Sequence, residues 1–203
     1  MNSLATKDKR GHLKLAVANS LSSVAAIILG GFQKAFPEIN ISLVVGNRNQ
    51  QIKALMENSI DLAITGSTPK EIAVESHVLL TTHILPIAAV DHPLVKEKNI
   101  SLETIGQEKF IYGEIGSGTR VAMDHSLSAH HIDESHVEVS NNEMVKHCIQ
   151  QGMGVGLLPK VAVEMEVKHH ILSVLDVEGF PLDYQINLVH AKDKRLSLVA
   201  KEF

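Results

Sequence analysis

One stretch of the sequence, Tyr112–Arg120, carries residue types that can bind an anion. It reads Tyr-Gly-Glu-Ile-Gly-Ser-Gly-Thr-Arg and follows a short apolar run typical of a strand. A glycine-containing turn that opens a helix presents backbone N–H groups at the positive end of the helix dipole, which suits a carboxylate or phosphate. Ser117 and Thr119 add hydroxyl donors, and Arg120 adds a planar two-pronged donor. The same residues also fit an ordinary helix cap made by Ser117 or Thr119, and their spacing leaves both interpretations open.

The composition of the chain excludes several functional classes. It has 203 residues, a formal charge of −4 and one cysteine, a length suited to one large domain or two small lobes. A mild negative charge without a Lys/Arg run argues against a nucleic-acid-binding patch. The lone Cys148 excludes an internal disulfide and favours a reducing compartment. The first ten residues are too polar for a signal peptide and the apolar runs too short to span a bilayer, so we expect a cytoplasmic protein without a membrane partner.

Hydrophobic periodicity predicts alternating strands and helices in the first part of the chain. Three segments have strand patterns: Leu13–Ala18, Ile41–Val45 and Ile60–Thr65. Helical spacing separates them, over residues 21–36 and 48–58, and this alternation implies right-handed crossovers and a parallel sheet. Ligands of such sheets collect beyond the carboxyl ends of the strands. Here those ends carry Asn19-Ser20, Gly46-Asn47 and Thr65-Gly66, and we expect Asn19 or Ser20 to cap the helix that follows.

A similar pattern recurs later in the chain, after two extended runs at Val74–Leu80 and Ile84–Val90. The predicted strands are Phe110–Tyr112, His136–Val139, Val155–Leu158, Ile171–Leu175 and Tyr184–Val189. Helices are predicted from the glycine motif to about Ala129, after the capping residues Ser140–Asn142, over Val161–Val167 and from Arg195 onward. We therefore predict an α/β protein of two Rossmann-like lobes joined by two crossing strands. Lobe I comprises residues 11–85 and 186–203, and lobe II comprises residues 86–185.

The segment Gln151–Pro159 resembles the Gly-x-Gly-Ile/Val-x-x-Leu-Pro signature of LysR-type transcriptional regulators, which lies in their C-terminal effector-binding domain. Other matches occur in the expected order: Gly11-x-Leu13-x-Leu15, Phe36–Ile39, Asp61–Ile64 and His92–Leu94. The resemblance covers nearly the whole chain. The stretch Glu114–Arg120 is most similar to the branch that regulates carbon-fixation genes. The resemblance implies a type 2 periplasmic-binding-protein-like fold, with a small-molecule effector between two lobes and with neither enzymatic activity nor a cofactor.

The resemblance also implies how the domain would work in a longer protein. Residues 1–10 resemble the tail of the family's linker helix, and the winged helix-turn-helix that precedes it is absent here. DNA would be bound only through that missing N-terminal domain. Family members pair as homodimers through the long first helix, and the full-length form is expected to be a tetramer. Ile27 and Leu29, which make this helix apolar on more than one face, suit such an interface; a helix packed between two layers would need them too.

Carried over position by position, the family's effector pocket predicts a set of ligand-binding residues. They are Asn19, Ser20, Ser22, Thr65, Gly66, Ser117, Gly118, Thr119, Asn141 and Asn142, with Arg120 added as the main cationic candidate. Arg48 is a weaker candidate, and either arginine can equally be a solvated helix-face residue. We expect the effector to be a small anion, an organic acid or a phosphorylated metabolite, bound by helix N-termini and hydroxyls.

Two other functional classes fit parts of the sequence. A solute-binding protein of a transport system shares the fold, although no secretion signal is visible. An enzyme on the same scaffold would need an acid or base, and Glu114 is the only acidic residue in the motif, without a nucleophile–base pair beside it. Twelve histidines raise the question of a metal, but the adjacent pairs His130-His131 and His169-His170 do not have metal-ligand spacing, so surface histidines are predicted. Cys148 is expected to be a packed thiol.

Overall fold

A computed structural model of the chain describes residues 10–115, 117–127, 136–139 and 141–203. The chain divides into two compact units: the first comprises residues 10–80 with Ile186–Phe203, and the second comprises Thr81–Gln185. Two strands, β4 (Val74–Ala89) and β9 (Leu182–Ala191), begin in one unit and end in the other. Among the described residues, no helix is long and apolar enough to cross a membrane.

The first unit is built on a parallel sheet, as predicted. Its strands are β1 (Gly11–Ala18), β2 (Ile39–Gly46) and β3 (Leu62–Thr65). β1 pairs in parallel with both β2 and β3, and β9 joins β3 in antiparallel fashion, so the hydrogen-bonded order is β2-β1-β3-β9-β4. The helices are α1 (Ser22–Ala35), α2 (Arg48–Met56) and α7 (Leu198–Glu202), and a short 3-10 turn, Asn19–Leu21, precedes α1.

Alternating apolar residues of β1 form the centre of the first unit's core. Leu13 and Leu15 are fully buried and pack in one cluster with Phe32 of α1. The Phe32 ring also contacts those of Phe36 and Phe203, at centroid distances of 4.9 and 5.1 Å. α1 and α7 therefore cover the same part of the sheet, and the apolar spacing along α1 is what directs it there.

The second unit has a separate core and two sets of strands. Its elements are α3 (Leu102–Gly106), β5 (Phe110–Gly113), α4 (Gly118–Leu127), β6 (His136–Val139), α5 (Asn142–Gln150), β7 (Gly156–Pro159), α6 (Lys160–Lys168) and β8 (Leu172–Val174). β5 and β6 pair in parallel, while the later part of β4 pairs in antiparallel fashion with β7 and β8. Ile87, Ile111 and Ile149 are buried at the centre, and Cys148 packs with them, which confirms the packed thiol.

The glycines of the Gln151–Pro159 signature have structural reasons. Gly152 ends α5 with a left-handed φ of +70°, which a glycine adopts without strain. At Gly154 a side chain is impossible, because a Cβ would lie 2.0 Å from the backbone oxygen of Lys109. The next residue, Val155, donates its N–H to that same oxygen at 2.9 Å. The signature thus ends a helix and starts the buried strand β7, as the sequence predicted.

Some predicted boundaries and caps were wrong. The two runs predicted from Val74 and from Ile84 belong to one continuous strand, β4, which ends at Ala89. The threonines between the runs are compatible with extended backbone. Neither Asn19 nor Ser20 caps α1: its N-cap position is Leu21, without a side-chain cap, because the chain first makes a 3-10 turn. The final helix begins at Leu198 rather than Arg195. The predicted end of α4 near Ala129, and the pair His130-His131, lie outside the described residues.

Candidate functional site

The predicted residues of the second unit follow two adjacent strands. β5 and β6 are parallel, with Gly113 opposite Val139, so the loops after them lie at the same edge of this sheet. Ser117 caps α4, because its Oγ accepts the N–H of Arg120 at 3.2 Å. The Thr119 hydroxyl is buried and lies 3.3 Å from Ser117 Oγ. The helix-cap and anion-site interpretations of the motif are therefore compatible: Ser117 forms the cap, and the Thr119 hydroxyl lies beside the helix N-terminus.

Arg120 is neither a solvated helix-face residue nor an isolated cation. Its side chain is 17% exposed, and its guanidinium lies 4.3 Å from the centroid of the Tyr112 ring. Nε donates to Asp124 Oδ1 at 2.8 Å, and Nη1 is 4.0 Å from Glu138 Oε2. Two carboxylates and an aromatic face therefore hold the guanidinium in one orientation. The pairing of Arg120 with Asp124 could be predicted from their i, i+4 spacing on the helix. The approach of Glu138 to Arg120 depends instead on the register between β5 and β6.

Two buried donors of the second unit lack a hydrogen-bond partner within the part of the chain that the structure describes. They are Nη1 of Arg120 and Nδ2 of Asn142, both on predicted site residues. A buried donor left unpaired costs about 1–3 kcal/mol, so each favours an acceptor that the described residues do not supply. The neighbouring Asn141 differs: it is exposed, and its Oδ1 accepts the N–H of Met144 at 2.9 Å. Asn141 therefore serves as the N-cap of α5.

The predicted residues of the first unit also meet at one sheet edge. β1 and β3 are parallel neighbours, with Val17 opposite Ile64, so Ser20 and Thr65 follow strands that end side by side. Both of these hydroxyl residues are buried. Thr65 Oγ1 donates to the carbonyl of Ser67 at 3.1 Å. Ser22 is exposed and donates its hydroxyl to the Asn19 carbonyl at 2.9 Å, which fixes the turn rather than presenting a free group.

Arg48, the weaker cationic candidate, is occupied by an internal partner. Its Nη2 donates to both carboxylate oxygens of Glu71, at 3.0 and 2.8 Å, and Nη1 reaches Ser67 Oγ at 3.3 Å. Glu71's own N–H and that of Lys70 donate to its carboxylate and, together with the Arg48 charge, lower the pKa of this carboxyl. The charge of Arg48 is thus already neutralised.

A fold of alternating strands and helices, with buried polar groups at the carboxyl ends of parallel strands, defines a small-molecule-binding domain of the α/β class. A family model described as the LysR substrate binding domain matches residues 6–203. The chain belongs to this family. This confirms the resemblance and the predicted α/β fold with two periplasmic-binding-protein-like lobes.

Several relatives of known name are similar to the chain. The transcriptional activator CmpR of Synechocystis is 37% identical over 196 residues, covering 96% of this chain and 64% of that protein. A RuBisCO operon transcriptional regulator of Allochromatium vinosum is 36% identical over 195 residues, with coverages of 96% and 65%. The chain therefore spans less than two thirds of the length of these relatives. Their names confirm the similarity to the carbon-fixation branch.

Solved structures agree with this placement. The regulatory domain of CcmR from Synechocystis PCC6803, in complex with 2-PG, superposes with a TM-score of 0.89 at 32% identity, covering 96% of this chain and 94% of that one. The effector-binding domain of QuiR in complex with shikimate has a TM-score of 0.83 at 21% identity, with coverages of 95% and 93%. At that lower identity the QuiR comparison concerns the fold alone.

Proposed function

We propose that this chain is the effector-sensing domain of a LysR-type regulator of carbon-fixation genes, and that its effector is a small anionic metabolite, an organic acid or a phosphorylated compound. The observation that carries the proposal is the pair of buried donors on Arg120 and Asn142, which have no hydrogen-bond partner among the described residues. A ligand rich in acceptor oxygens would satisfy both. Support comes from the CcmR regulatory domain, which is 32% identical and was solved with 2-PG.

The surrounding groups favour recognition by directed hydrogen bonds over recognition by net charge. Asp124 and Glu138 already balance much of the Arg120 charge, so Nη1 acts as an oriented donor more than as an attracting cation. The Thr119 hydroxyl and the N-terminus of α4 add donors beside it. In the first unit, the buried hydroxyl residues Ser20 and Thr65 are the proposed contacts. A ligand without acceptor oxygens would leave these donors unpaired and bind weakly.

The regulatory step follows from differential affinity. An effector can shift the balance between two arrangements of a regulator only by the difference in its binding free energy for them. We propose that this difference acts on a DNA-binding domain outside this chain, and that the regulator is a homodimer whose full-length form assembles further into a tetramer.

Titration calorimetry with 2-PG tests the proposed binding. Thr119→Ala and Asn142→Ala should each weaken binding about 5- to 10-fold, the effect of one lost hydrogen bond. Thr81→Ala is the matched control, because Thr81 is exposed in β4; this variant should bind like the parent protein. Ser20→Ala tests the predicted residues of the first unit in the same way, and it should weaken binding by a similar factor.

Two outcomes would contradict the proposal. One is a well-folded parent protein that binds neither 2-PG nor any member of a panel of carboxylate and phosphate metabolites. The other is a protein that binds 2-PG with an affinity that Thr119→Ala and Asn142→Ala leave unchanged.

A further inference from the structure

A group of possible metal ligands lies in the first unit, apart from the residues discussed above. Glu75 and His77 are two residues apart on β4, so their side chains leave the same face of the strand. His190 comes from β9, the hydrogen-bonded neighbour of β4. One ligand atom from each of the three lies within 4.8 Å of the other two. Sequence reasoning missed this group because the strand pairing that assembles it is not visible in local spacing.

His190 is already oriented as a metal ligand would need to be. Its Nδ1 lies 3.0 Å from the carbonyl oxygen of Ala191, and a carbonyl can only accept a hydrogen bond, so Nδ1 carries the proton. In the neutral ring the lone pair is then on Nε2. That atom lies 3.4 Å from Glu75 Oε2. A backbone carbonyl that fixes the tautomer of a ligating imidazole is a regular feature of metal sites.

The separation of these atoms matches a first-row metal site. With bonds of about 2.0–2.2 Å, a tetrahedral zinc ion holds its ligand atoms roughly 3.4 Å apart. The Nε2–Oε2 distance of 3.4 Å between His190 and Glu75 already equals that separation. His77 is exposed and can complete the set by a small side-chain rotation. An ordinary ion pair between Glu75 and His190 would explain two of the three groups, but not the convergence of His77 with them.

We propose that Glu75, His77 and His190 bind one divalent transition-metal ion, with Zn²⁺ as the best fit. Two imidazole nitrogens and one carboxylate oxygen suit Zn²⁺, Co²⁺ or Ni²⁺, whereas Mg²⁺ and Ca²⁺ prefer oxygen ligands alone. His190 is buried and the other two ligands are exposed, so the ion would enter from the solvent side and keep water in its remaining position. Such an ion would tie β4 to β9 and stabilise the first unit.

The test uses the full chain without an affinity tag, stripped of metal with a chelator. Calorimetry should show one Zn²⁺ bound per chain, with no comparable binding of Mg²⁺, and saturating Zn²⁺ should raise the Tm by several degrees. His77→Ala and Glu75→Gln should each lower the Zn²⁺ affinity at least 10-fold. Both residues are exposed, so these variants should fold normally. His190→Gln is the third variant, with circular dichroism used to check its fold.

His83→Ala is the matched control. His83 lies on the same strand and also faces a carboxylate, with Nε2 3.6 Å from Asp183 Oδ1. Within the described part of the chain, no third His, Cys, Asp or Glu joins these two to form a possible metal site. This variant should retain the full Zn²⁺ affinity and Tm shift. The proposal would be overturned if the parent protein bound Zn²⁺ no better than His77→Ala. Equal loss in His83→Ala would also overturn it, because that result indicates adventitious binding by surface histidines.

Discussion

At the scale of single residues, Gly154 shows how tightly the family signature is constrained. A Cβ at this position would approach the Lys109 backbone oxygen to 2.0 Å, and the φ of +155° disfavours other residues. We predict that Gly154→Ala lowers the free energy of unfolding by about 2–4 kcal/mol, measured by urea denaturation. The control is Gly30→Ala in α1, where a Cβ meets open space; it should be neutral or stabilise by up to about 1 kcal/mol. Similar effects of the two changes would contradict this prediction.

A second prediction at the scale of single residues concerns Lys146, which contacts two carboxylates. Its Nζ lies 2.5 Å from Glu166 Oε1 and 2.9 Å from Glu143 Oε1. Burial alone would lower the pKa of this ammonium, but the two hydrogen-bonded carboxylates outweigh it and raise the pKa. Lys146→Met should therefore lower the free energy of unfolding at neutral pH by roughly 1–3 kcal/mol, since Glu166 keeps some contact with water. The exposed Lys160 is the control, and its replacement by Met should change stability by less than about 0.5 kcal/mol.

The pH dependence of this effect has a definite sign. Because the folded-state pKa of Lys146 lies above the unfolded value, its contribution is complete below about pH 10 and is lost as the pH rises through the folded-state pKa. The difference in unfolding free energy between parent protein and Lys146→Met should therefore shrink only in strongly alkaline solution. A difference that instead disappeared on acidification to pH 6 would show that another group is responsible.

At the scale of elements, α2 depends on a reciprocal cap. Asn47 Oδ1 accepts the N–H of Gln50 at 2.9 Å, and Gln50 Oε1 accepts the N–H of Asn47 at 2.9 Å. Asn47→Ala should lower the free energy of unfolding by about 1 kcal/mol, measured by thermal or urea denaturation. Asn49→Ala, at an exposed position of the same helix, should have no such effect. If Asn49→Ala lowered the free energy of unfolding as much as Asn47→Ala, the loss could not be assigned to the cap.

Much of the element order could be predicted from the sequence, because apolar periodicity reports directly on burial. The alternation of strands and helices and the parallel pairing of β1 with β2 and β3 follow from it. The continuity of β4 could not be predicted from apolar periodicity. Thr81 and Thr82 interrupt the apolar pattern because they are polar, although threonine fits extended backbone. Capping at Asn19 or Ser20 was also wrong. A local cap motif does not reveal that the chain makes a 3-10 turn first.

The candidate site was predictable in its loops but not in its side-chain environment. Polar strand ends mark Ser20, Thr65 and Thr119 from the sequence, and all three are buried in the structure. The pairing of Arg48 with Glu71 depends on groups that only tertiary structure brings together. The same holds for the burial of the donors on Arg120 and Asn142, which have no hydrogen-bond partner among the residues that the structure describes.

At the scale of the whole molecule, α1 is the proposed dimer surface. Ile27 is 76% exposed, whereas Leu29 packs partly against the core of the first unit. Only Ile27 of the two is thus available to a partner. Ile27→Glu should weaken self-association at least 10-fold, because it places a charge in an apolar contact; sedimentation velocity over a concentration series measures this. Leu198→Glu, at a residue 78% exposed on α7, is the control. Unchanged association of Ile27→Glu would remove α1 from the interface.

The path of β9 has a consequence for synthesis of the chain on the ribosome. β3 pairs on one side with β1, but its other neighbour is β9, which is translated only after the whole of the second unit. The nascent first unit therefore has an unpaired strand edge during most of translation, a state in which strands are prone to wrong pairing. The second unit, contiguous in the sequence, can fold as it emerges. The unit whose synthesis begins first is thus the last to complete its sheet.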